Sequence, residues 1–178
     1  MFTHWNKLLN TDCTVMEIGP HTIYPIFRVG FTSLSSVCDK KYINEQINDC
    51  KHIDIMIRDP GARFVGGVNE YCRQNDLGVL DTWQLIQQGK LIDKHFAPQY
   101  MWLLHLYKFY KGSVTLLPFE HIKNITSVHA NNRSSNGFKH QSVALLQPFV
   151  DIDYKLQEHY NETLELGEIV RRYKNVLS

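Results

Sequence analysis

The sequence lacks any long hydrophobic run. No window of about 18 apolar residues is present that could span a membrane. The first 20 residues carry His4, Lys7, Asp12 and Glu17 without an apolar core, which is unlike a secretory signal peptide. The sequence therefore predicts no membrane partner, and we expect a cytoplasmic location.

An excess of charge of one sign is also missing. The 19 lysines and arginines nearly balance the 18 aspartates and glutamates, which leaves a formal net charge of +1. A balanced chain has no general attraction to polyanions, so we expect no nucleic-acid partner. Any anion-binding site in this protein must be built locally.

Paired cysteine motifs are absent as well. Cys13, Cys38, Cys50 and Cys72 form neither a CxxC pair nor a zinc-ligand spacing. We interpret them as free thiols of a reducing compartment. No convincing cluster of metal ligands is visible elsewhere, so no metal is expected.

Three short, apolar, β-rich segments are present, at residues 22–27, 53–57 and 113–117. Such runs are typical of strands that are buried on both faces. Helical patterns lie between and after them, at residues 32–40, 62–73, from Asp81, from Pro98 to about Tyr110, and at 161–176. This alternation predicts an α/β fold: a single domain over residues 1–178, with a P-loop NTPase-like parallel sheet flanked by helices on both faces.

A basic residue, a glycine and two hydroxyls follow the first predicted strand, in "FRVGFTSL" at residues 27–34. Gly30 permits a tight turn, and Thr32 and Ser33 stand where a helix is expected to begin. Helix amides attract anions, and Arg28 adds a fixed charge with a planar set of donors. The pattern is consistent with an anion site, or with a plain strand–turn–helix capped by Thr32. The nucleotide-loop signature GxxxxGK[ST] is absent.

A second basic motif, "RDPGARFVG" at residues 58–66, follows the second predicted strand. Arg58 ends the strand, Pro60 begins a helix, and Arg63 lies in its first turn. Ligands of such sheets bind beyond the carboxyl ends of the strands, which is where both arginines are expected. Asp59 is expected to orient one of them by ion pairing. A purely structural Arg–Asp network is the alternative.

Together the two segments resemble the sulfotransferase family, in particular its carbohydrate (Golgi-type) branch. That family carries a loop of the form [P]-K-x-G-[ST]-[ST]-[ST]-L and a motif R-[DE]-P-x-x-R-[FA]-x-S. Here Arg28 stands at the lysine place and Gly66 at the final serine place. The stretch "DKHFAPQ" (93–99) is similar to the H-x-x-P-Q segment of the same branch. The polar, turn-rich stretch at residues 124–137 is expected to be a long functional loop. Its "HANNRSS", before "NGFKH", resembles the late nucleotide-closing loop of the family.

The resemblance implies a metal-independent enzyme that uses 3′-phosphoadenosine 5′-phosphosulfate (PAPS) and releases 3′-phosphoadenosine 5′-phosphate (PAP). It implies transfer of the sulfuryl group to a hydroxyl or amine of a small-molecule or glycan acceptor. The donor-binding residues that it implies are Arg28, Val29, Gly30, Phe31, Thr32, Ser33, Arg58, Gly66, Ser134 and Lys139.

Two catalytic residues are expected, Arg28 and His95. Arginine can stabilise charge on the leaving phosphate but cannot donate a proton to it. Histidine titrates near neutrality, which suits removal of the acceptor proton. Asp93, Glu45 and His52 are the alternative bases.

Two other functions stay open. The departures at Arg28 and Gly66 allow a degenerate relative that binds nucleotide or glycan without turnover. A P-loop phosphotransferase is less well supported, because the GK[ST] sequence and a magnesium-binding acid after a strand are both missing.

Overall fold

A computed structural model describes residue 9 and residues 11–26, 29–127 and 147–174 of the chain. The strands are β1 (Thr14–Ile18), β2 (His21–Tyr24), β3 (Lys40–Ile43), β4 (Ile53–Ile57), β5 (Ser113–Pro118) and β6 (Thr163–Glu165). The helices are α1 (Phe31–Ser36), α2 (Pro60–Asn75), α3 (Val79–Gln87), α4 (Gln99–Phe109), α5 (Ile122–Ile125), α6 (Gln147–Leu156) and α7 (Leu166–Lys174). Short 3-10 helices span Asn44–Asp49, Phe119–His121 and Gln157–His159.

The strands form one six-stranded mixed sheet in the order β3-β1-β2-β4-β5-β6. The three strands predicted from the sequence, β2, β4 and β5, pair in parallel at its centre. The other three pair antiparallel with their neighbours. The fold is therefore α/β as predicted, but the prediction of a wholly parallel sheet was wrong.

The antiparallel half begins with a hairpin that the sequence prediction missed. β1 and β2 are joined by only Gly19 and Pro20, with Ile18 paired to His21. Two β-rich runs separated by two turn residues are the usual sequence signal of such a hairpin. Gly19 has φ +54°, a left-handed conformation that glycine adopts without strain.

The helix predicted over residues 32–40 is shorter in the structure. It ends at Ser36, and the chain turns back to run beside β1 as β3. Asp39 fixes this return: its carboxylate accepts a hydrogen bond from the Gly19 amide at 2.8 Å, and its own amide donates to the carbonyl of Glu17 at 2.9 Å.

Two further helix boundaries differ from the prediction. α3 begins at Val79 after Gly78, so Asp81 lies inside its first turn and does not cap it. The tail helix begins only at Leu166, because residues 163–165 pair with β5. The helix predicted from Pro98 is confirmed as α4, and it carries a mostly buried surface.

The core lies around β4, whose Ile55 and Met56 point to opposite faces of the sheet and are both fully buried. The centre of the sheet is therefore covered on both faces. All four cysteines are free, as the sequence predicts. Across the described ranges, no helix is long and apolar enough to cross a membrane.

Helix α2 passes very close to the segment that precedes α4. A Cβ atom on Gly67 would lie 2.1 Å from the carbonyl oxygen of His95 and 2.7 Å from its carbonyl carbon. The neighbouring Gly66 is different, because its Cβ would meet only Nη1 of Arg58, at an ordinary contact distance of 3.8 Å. Packing thus requires a glycine at position 67 but not at position 66.

This pair of glycines yields a matched stability test. Gly67→Ala is expected to lower the free energy of unfolding by about 2 kcal/mol, since a rigid backbone leaves no room for the methyl group. Gly66→Ala is expected to raise it by about 0.5–1 kcal/mol, through better helix propensity. Urea unfolding measures both values. Equal effects of the two variants would contradict the close approach at Gly67.

Candidate functional site

The carboxyl ends of the three parallel strands bring the two predicted motifs together. β2 leads to Gly30, β4 leads to Arg58, and β5 leads directly to Phe119. The Phe119 ring lies between the two motifs: its centroid is 5.2 Å from the guanidinium carbon of Arg58. A Cβ on Gly30 would lie 3.4 Å from the same ring. Phe119 was not predicted, although its place immediately after a strand was an available signal.

The turn at Gly30 can be made only by glycine. Gly30 has φ +78°, and a Cβ there would lie 2.3 Å from Cδ1 of Ile122. Both facts confirm the tight turn predicted from the sequence. Gly30 also stands at the N-cap of α1 without a side-chain cap, so Thr32 is not the capping residue.

The residues around this turn differ in exposure. Val29 is fully buried, and its amide donates a hydrogen bond to the carbonyl of Ile26 at 2.9 Å. Phe31 and Ser33 are half-buried, and Thr32 is exposed. Arg28 and Phe27 lie outside the described residues, and so do Ser134, Lys139 and the predicted functional loop beyond residue 127.

The second motif places Arg58 at the sheet edge with a half-buried side chain. Asp59 is the N-cap of α2, and its carboxylate accepts a hydrogen bond from the Ala62 amide at 2.8 Å. Pro60 opens the helix, as predicted. Gly66 faces the Arg58 guanidinium one and a half turns later, where the sulfotransferase motif has serine.

Arg63 does not lie on the ligand side of this edge. Its side chain is only 2% exposed, and its guanidinium donates a hydrogen bond to the carbonyl of Ala97. Arg63 therefore has a structural role, with a main-chain carbonyl as its hydrogen-bond acceptor. It fastens the segment before α4 to α2, and Arg58 is the arginine of the motif that remains partly accessible.

Gln99 joins the "DKHFAPQ" segment to Arg58. Its side-chain oxygen accepts a hydrogen bond from the Arg58 amide at 2.9 Å, and its side-chain nitrogen donates to the Arg58 carbonyl at 2.8 Å. β4 ends at Ile57, so Arg58 is the first residue beyond the strand. The Gln99 side chain supplies the two hydrogen bonds that a neighbouring strand would otherwise make with Arg58. We refer to this pair of bonds as the Gln99 clasp.

Asp153 of α6 supplies the N-terminal cap of α4 from a distant part of the chain. Its two carboxylate oxygens accept hydrogen bonds from the amides of Gln99, at 2.7 Å, and Tyr100, at 2.8 Å. The side chain is 3% exposed. Burial raises the pKa of Asp153 to about 6, and the two amides and the Arg63 charge oppose that rise. No sequence pattern indicated this residue, since α6 was not predicted.

His95 forms a tight pair with Asp93. Nδ1 of His95 lies 2.5 Å from a carboxylate oxygen of Asp93, which also accepts a hydrogen bond from the His95 amide at 2.9 Å. Burial alone would raise the pKa of Asp93, but these hydrogen bonds outweigh it and lower the pKa below its ordinary value. His95 is 5% exposed, and its Nε2 atom is buried.

The two other candidate bases lie on different elements from the arginine motif. His52 precedes β4, at the opposite end of the strand, and its ring contacts the hydroxyls of Ser113 at 2.9 Å and Thr115 at 3.0 Å. Glu45 is exposed in the 3-10 helix Asn44–Asp49. The structure thus packs the segment that contains His95 against the arginine motif and places His52 at the opposite end of β4.

This arrangement is suited to holding an anion. Arg58 presents a permanently charged, planar group, supported by the Phe119 ring and fixed at its backbone by the Gln99 clasp. Such a group binds phosphate with paired, charge-assisted hydrogen bonds. Within the described residues, no group of three or more His, Cys, Asp or Glu side chains is arranged to hold a metal ion.

No protein-family model, no curated protein and no solved structure matches this chain. The geometry at the carboxyl edge of β2, β4 and β5 is therefore what supports a function.

The raised pKa of Asp153 predicts a pH-dependent stability. The folded chain keeps a proton that the unfolded chain releases at the ordinary pKa of 3.8. The resulting stability is fully present below that value and is lost as the pH rises through about 6. Between pH 4.5 and 7.5, wild type should lose about 2 kcal/mol relative to Asp153→Asn, which does not titrate. Urea unfolding at both pH values measures this loss. If the difference in free energy of unfolding between the two proteins were the same at both pH values, the pKa of Asp153 would be ordinary.

Proposed function

We propose that this protein is a PAPS-dependent sulfotransferase, which transfers a sulfuryl group to a hydroxyl or amine of a small-molecule or glycan acceptor. The supporting observation is the convergence of the Gly30 turn and Arg58 on Phe119, at one edge of the sheet. A ligand with two separated phosphate groups, such as PAPS, suits two neighbouring anion-binding segments. The resemblance of both segments to sulfotransferase motifs adds to this geometry.

The fold is consistent with the proposal. We infer a P-loop NTPase-like centre formed by β2, β4 and β5, each followed by a loop at the ligand-binding edge. The antiparallel strands β1, β3 and β6 extend this centre on both sides. The cytoplasmic location remains a prediction from the sequence.

Donor-binding roles follow from the positions of the described residues. Arg58 is assigned to the 3′-phosphate, and the turn at residues 29–33 to the 5′-phosphosulfate. Gly66 leaves open space beside the Arg58 guanidinium, where a hydroxyl would otherwise stand. The assignments of Arg28, Ser134 and Lys139 rest on the sequence resemblance.

Sulfuryl transfer is an in-line displacement that depends on positioning and on neutralising charge, as phosphoryl transfer does. PAPS supplies the activated sulfuryl group. The chain supplies cations for the phosphates, Arg58 for one and Arg28 for the other, and a base for the acceptor proton. Because arginine cannot donate a proton, Arg28 acts by stabilising charge alone.

We assign the base to His95. Asp93 holds its Nδ1, which leaves Nε2 as the atom to accept a proton, the division of roles found in His–carboxylate pairs. Nε2 is buried, so proton removal requires the segment around residues 93–98 to open toward the acceptor. The alternative is that the His95–Asp93 pair only holds the segment at residues 93–98 in place.

A degenerate, non-catalytic relative is the second candidate function. Two observations favour it: Gly66 brings no hydroxyl to the site, and the proposed base is buried. Such a protein would bind the nucleotide without transferring a sulfuryl group. A P-loop phosphotransferase remains less well supported.

Isothermal titration calorimetry tests donor recognition. Wild type should bind PAP more tightly than ATP, and Arg58→Met should weaken PAP by about 10- to 100-fold, the value of one or two charge-assisted hydrogen bonds. Adenosine 5′-phosphate lacks the 3′-phosphate and should bind both proteins equally. Gly66→Ser should tighten PAP about fivefold, because the new hydroxyl fits beside Arg58 without a clash.

The outcomes separate the three functions. PAP binding with sulfate transfer to members of a glycan and small-molecule panel supports the enzyme. PAP binding without transfer to any of them favours the non-catalytic relative. A preference for ATP that depends on magnesium would overturn both in favour of a phosphotransferase.

His95→Ala tests the assignment of the base. Loss of a general base is expected to lower turnover by at least about 100-fold and to remove the acidic limb of the pH–rate profile, with PAP affinity unchanged. Asp93→Asn should show a smaller loss, since it keeps the ring but removes the carboxylate that holds Nδ1 and sets the tautomer. A near-normal rate and pH profile in His95→Ala would assign the pair to anchoring the segment.

A further inference from the structure

We propose that Gln99 and Asp153 are positioning residues for Arg58, and that through it they set the affinity for the 3′-phosphate of the nucleotide. The inference rests on the proposed function, in which Arg58 binds that phosphate. It concerns residues from two separate helices, α4 and α6, neither of which reaches the ligand side of the sheet edge itself.

The first step is the Gln99 clasp. Arg58 is the first residue beyond β4, after the last paired residue, Ile57. Both main-chain groups of Arg58 are instead satisfied by the Gln99 side chain, at 2.9 and 2.8 Å. The backbone conformation at Arg58, and with it the direction in which the guanidinium leaves the chain, is therefore fixed by a side chain from α4.

The second step is the cap on α4. Pro98 stands at the N-cap and offers no side-chain acceptor to the first amides of the helix. Asp153 provides both acceptors from α6, at 2.7 and 2.8 Å. Because one of these amides belongs to Gln99, the carboxylate holds the same residue that makes the clasp.

Neither residue is available to a ligand directly. Gln99 is fully buried, and Asp153 is 3% exposed. Arg58 is half-buried, with its guanidinium over the Phe119 ring. We therefore attribute an effect of Gln99 or Asp153 on nucleotide binding to Arg58, which would make it specific for the phosphate that Arg58 binds.

The surroundings of Asp153 define its protonation states. Arg63 on α2 is the charged group facing it, and from α4 it meets the neutral amides of Gln99 and Tyr100. Ionised Asp153 accepts from both amides, whereas the protonated acid gives up one acceptor to its own proton. Loss of the cap is thus expected as the pH falls through about 6.

The experiment compares PAP with adenosine 5′-phosphate by calorimetry on the full chain. Asp153→Asn keeps the size of the side chain, and Gln99→Met keeps its approximate length but removes both bonds of the clasp. Each variant should weaken PAP about 5- to 20-fold, the range expected for one to two lost hydrogen bonds, and leave adenosine 5′-phosphate within twofold. A general loosening of the fold would weaken both ligands.

Two controls isolate the path through Arg58. Tyr110→Phe removes a partly buried hydrogen bond to the Ser113 carbonyl at the other end of α4, and it should leave both affinities unchanged. In the Arg58→Met background, Gln99→Met and Asp153→Asn should have no further effect on PAP. Additive losses in this cycle would show that the two residues act elsewhere and would overturn the inference.

The pH dependence supplies an independent readout. Wild type and Asp153→Asn should differ about tenfold in PAP affinity at pH 7.5, and by less than about threefold at pH 5, where wild type has also lost an acceptor. Protonation of PAP itself affects both proteins alike and cancels in the ratio. A ratio that is the same at both pH values contradicts the role of the ionised carboxylate.

The result also distinguishes the inference from the function on which it rests. If wild type does not bind PAP, the proposed function fails and the inference fails with it. If wild type binds PAP and Arg58→Met loses it, but Gln99→Met and Asp153→Asn bind as wild type does, then the function stands and the positioning role is refuted.

Discussion

The candidate site depends on the pair of hydrogen bonds between the side-chain amide of Gln99 and the main-chain N–H and C=O of Arg58. β4 ends at Ile57, so without this clasp the main-chain amide and carbonyl of Arg58 would lose these partners at the point where the basic motif begins. The clasp satisfies the main-chain hydrogen bonds at the end of β4, and it also sets the position of the Arg58 side chain, a cation. Structure and proposed function meet in this one contact.

The clasp is supported from three sides. Arg63 donates from α2 to the Ala97 carbonyl, and Gly67 lets α2 approach the backbone of His95. Asp153 holds the amide of Gln99 from α6. Burial of Asp153 and Arg63 lowers the stability near neutral pH, because burial disfavours the ionised carboxylate and raises its pKa.

The sequence predicted what local patterns determine. β2, β4 and β5 were found because short apolar runs are characteristic of buried central strands, and the turn at Gly30 because only glycine adopts its backbone conformation. The edge strand β3 was missed because it alternates only weakly and is mostly exposed, and its pairing with β1 depends on contacts made by Asp39. The buried role of Arg63 and the cap by Asp153 join residues 34 and 54 positions apart, and no local pattern carries such information.

Packing requires glycine at position 67 but not at position 66, so Gly66 is a feature of the candidate site and not of the fold. Its neighbour Gly67 is fixed by packing, since any side chain would enter the backbone of His95. Position 66 carries no such constraint, because a Cβ there makes only an ordinary contact with Arg58. The fold would therefore accept the serine of the sulfotransferase motif, and the absence of that hydroxyl is not a consequence of packing. In the proposed function, this departure would therefore act on how strongly Arg58 holds the 3′-phosphate.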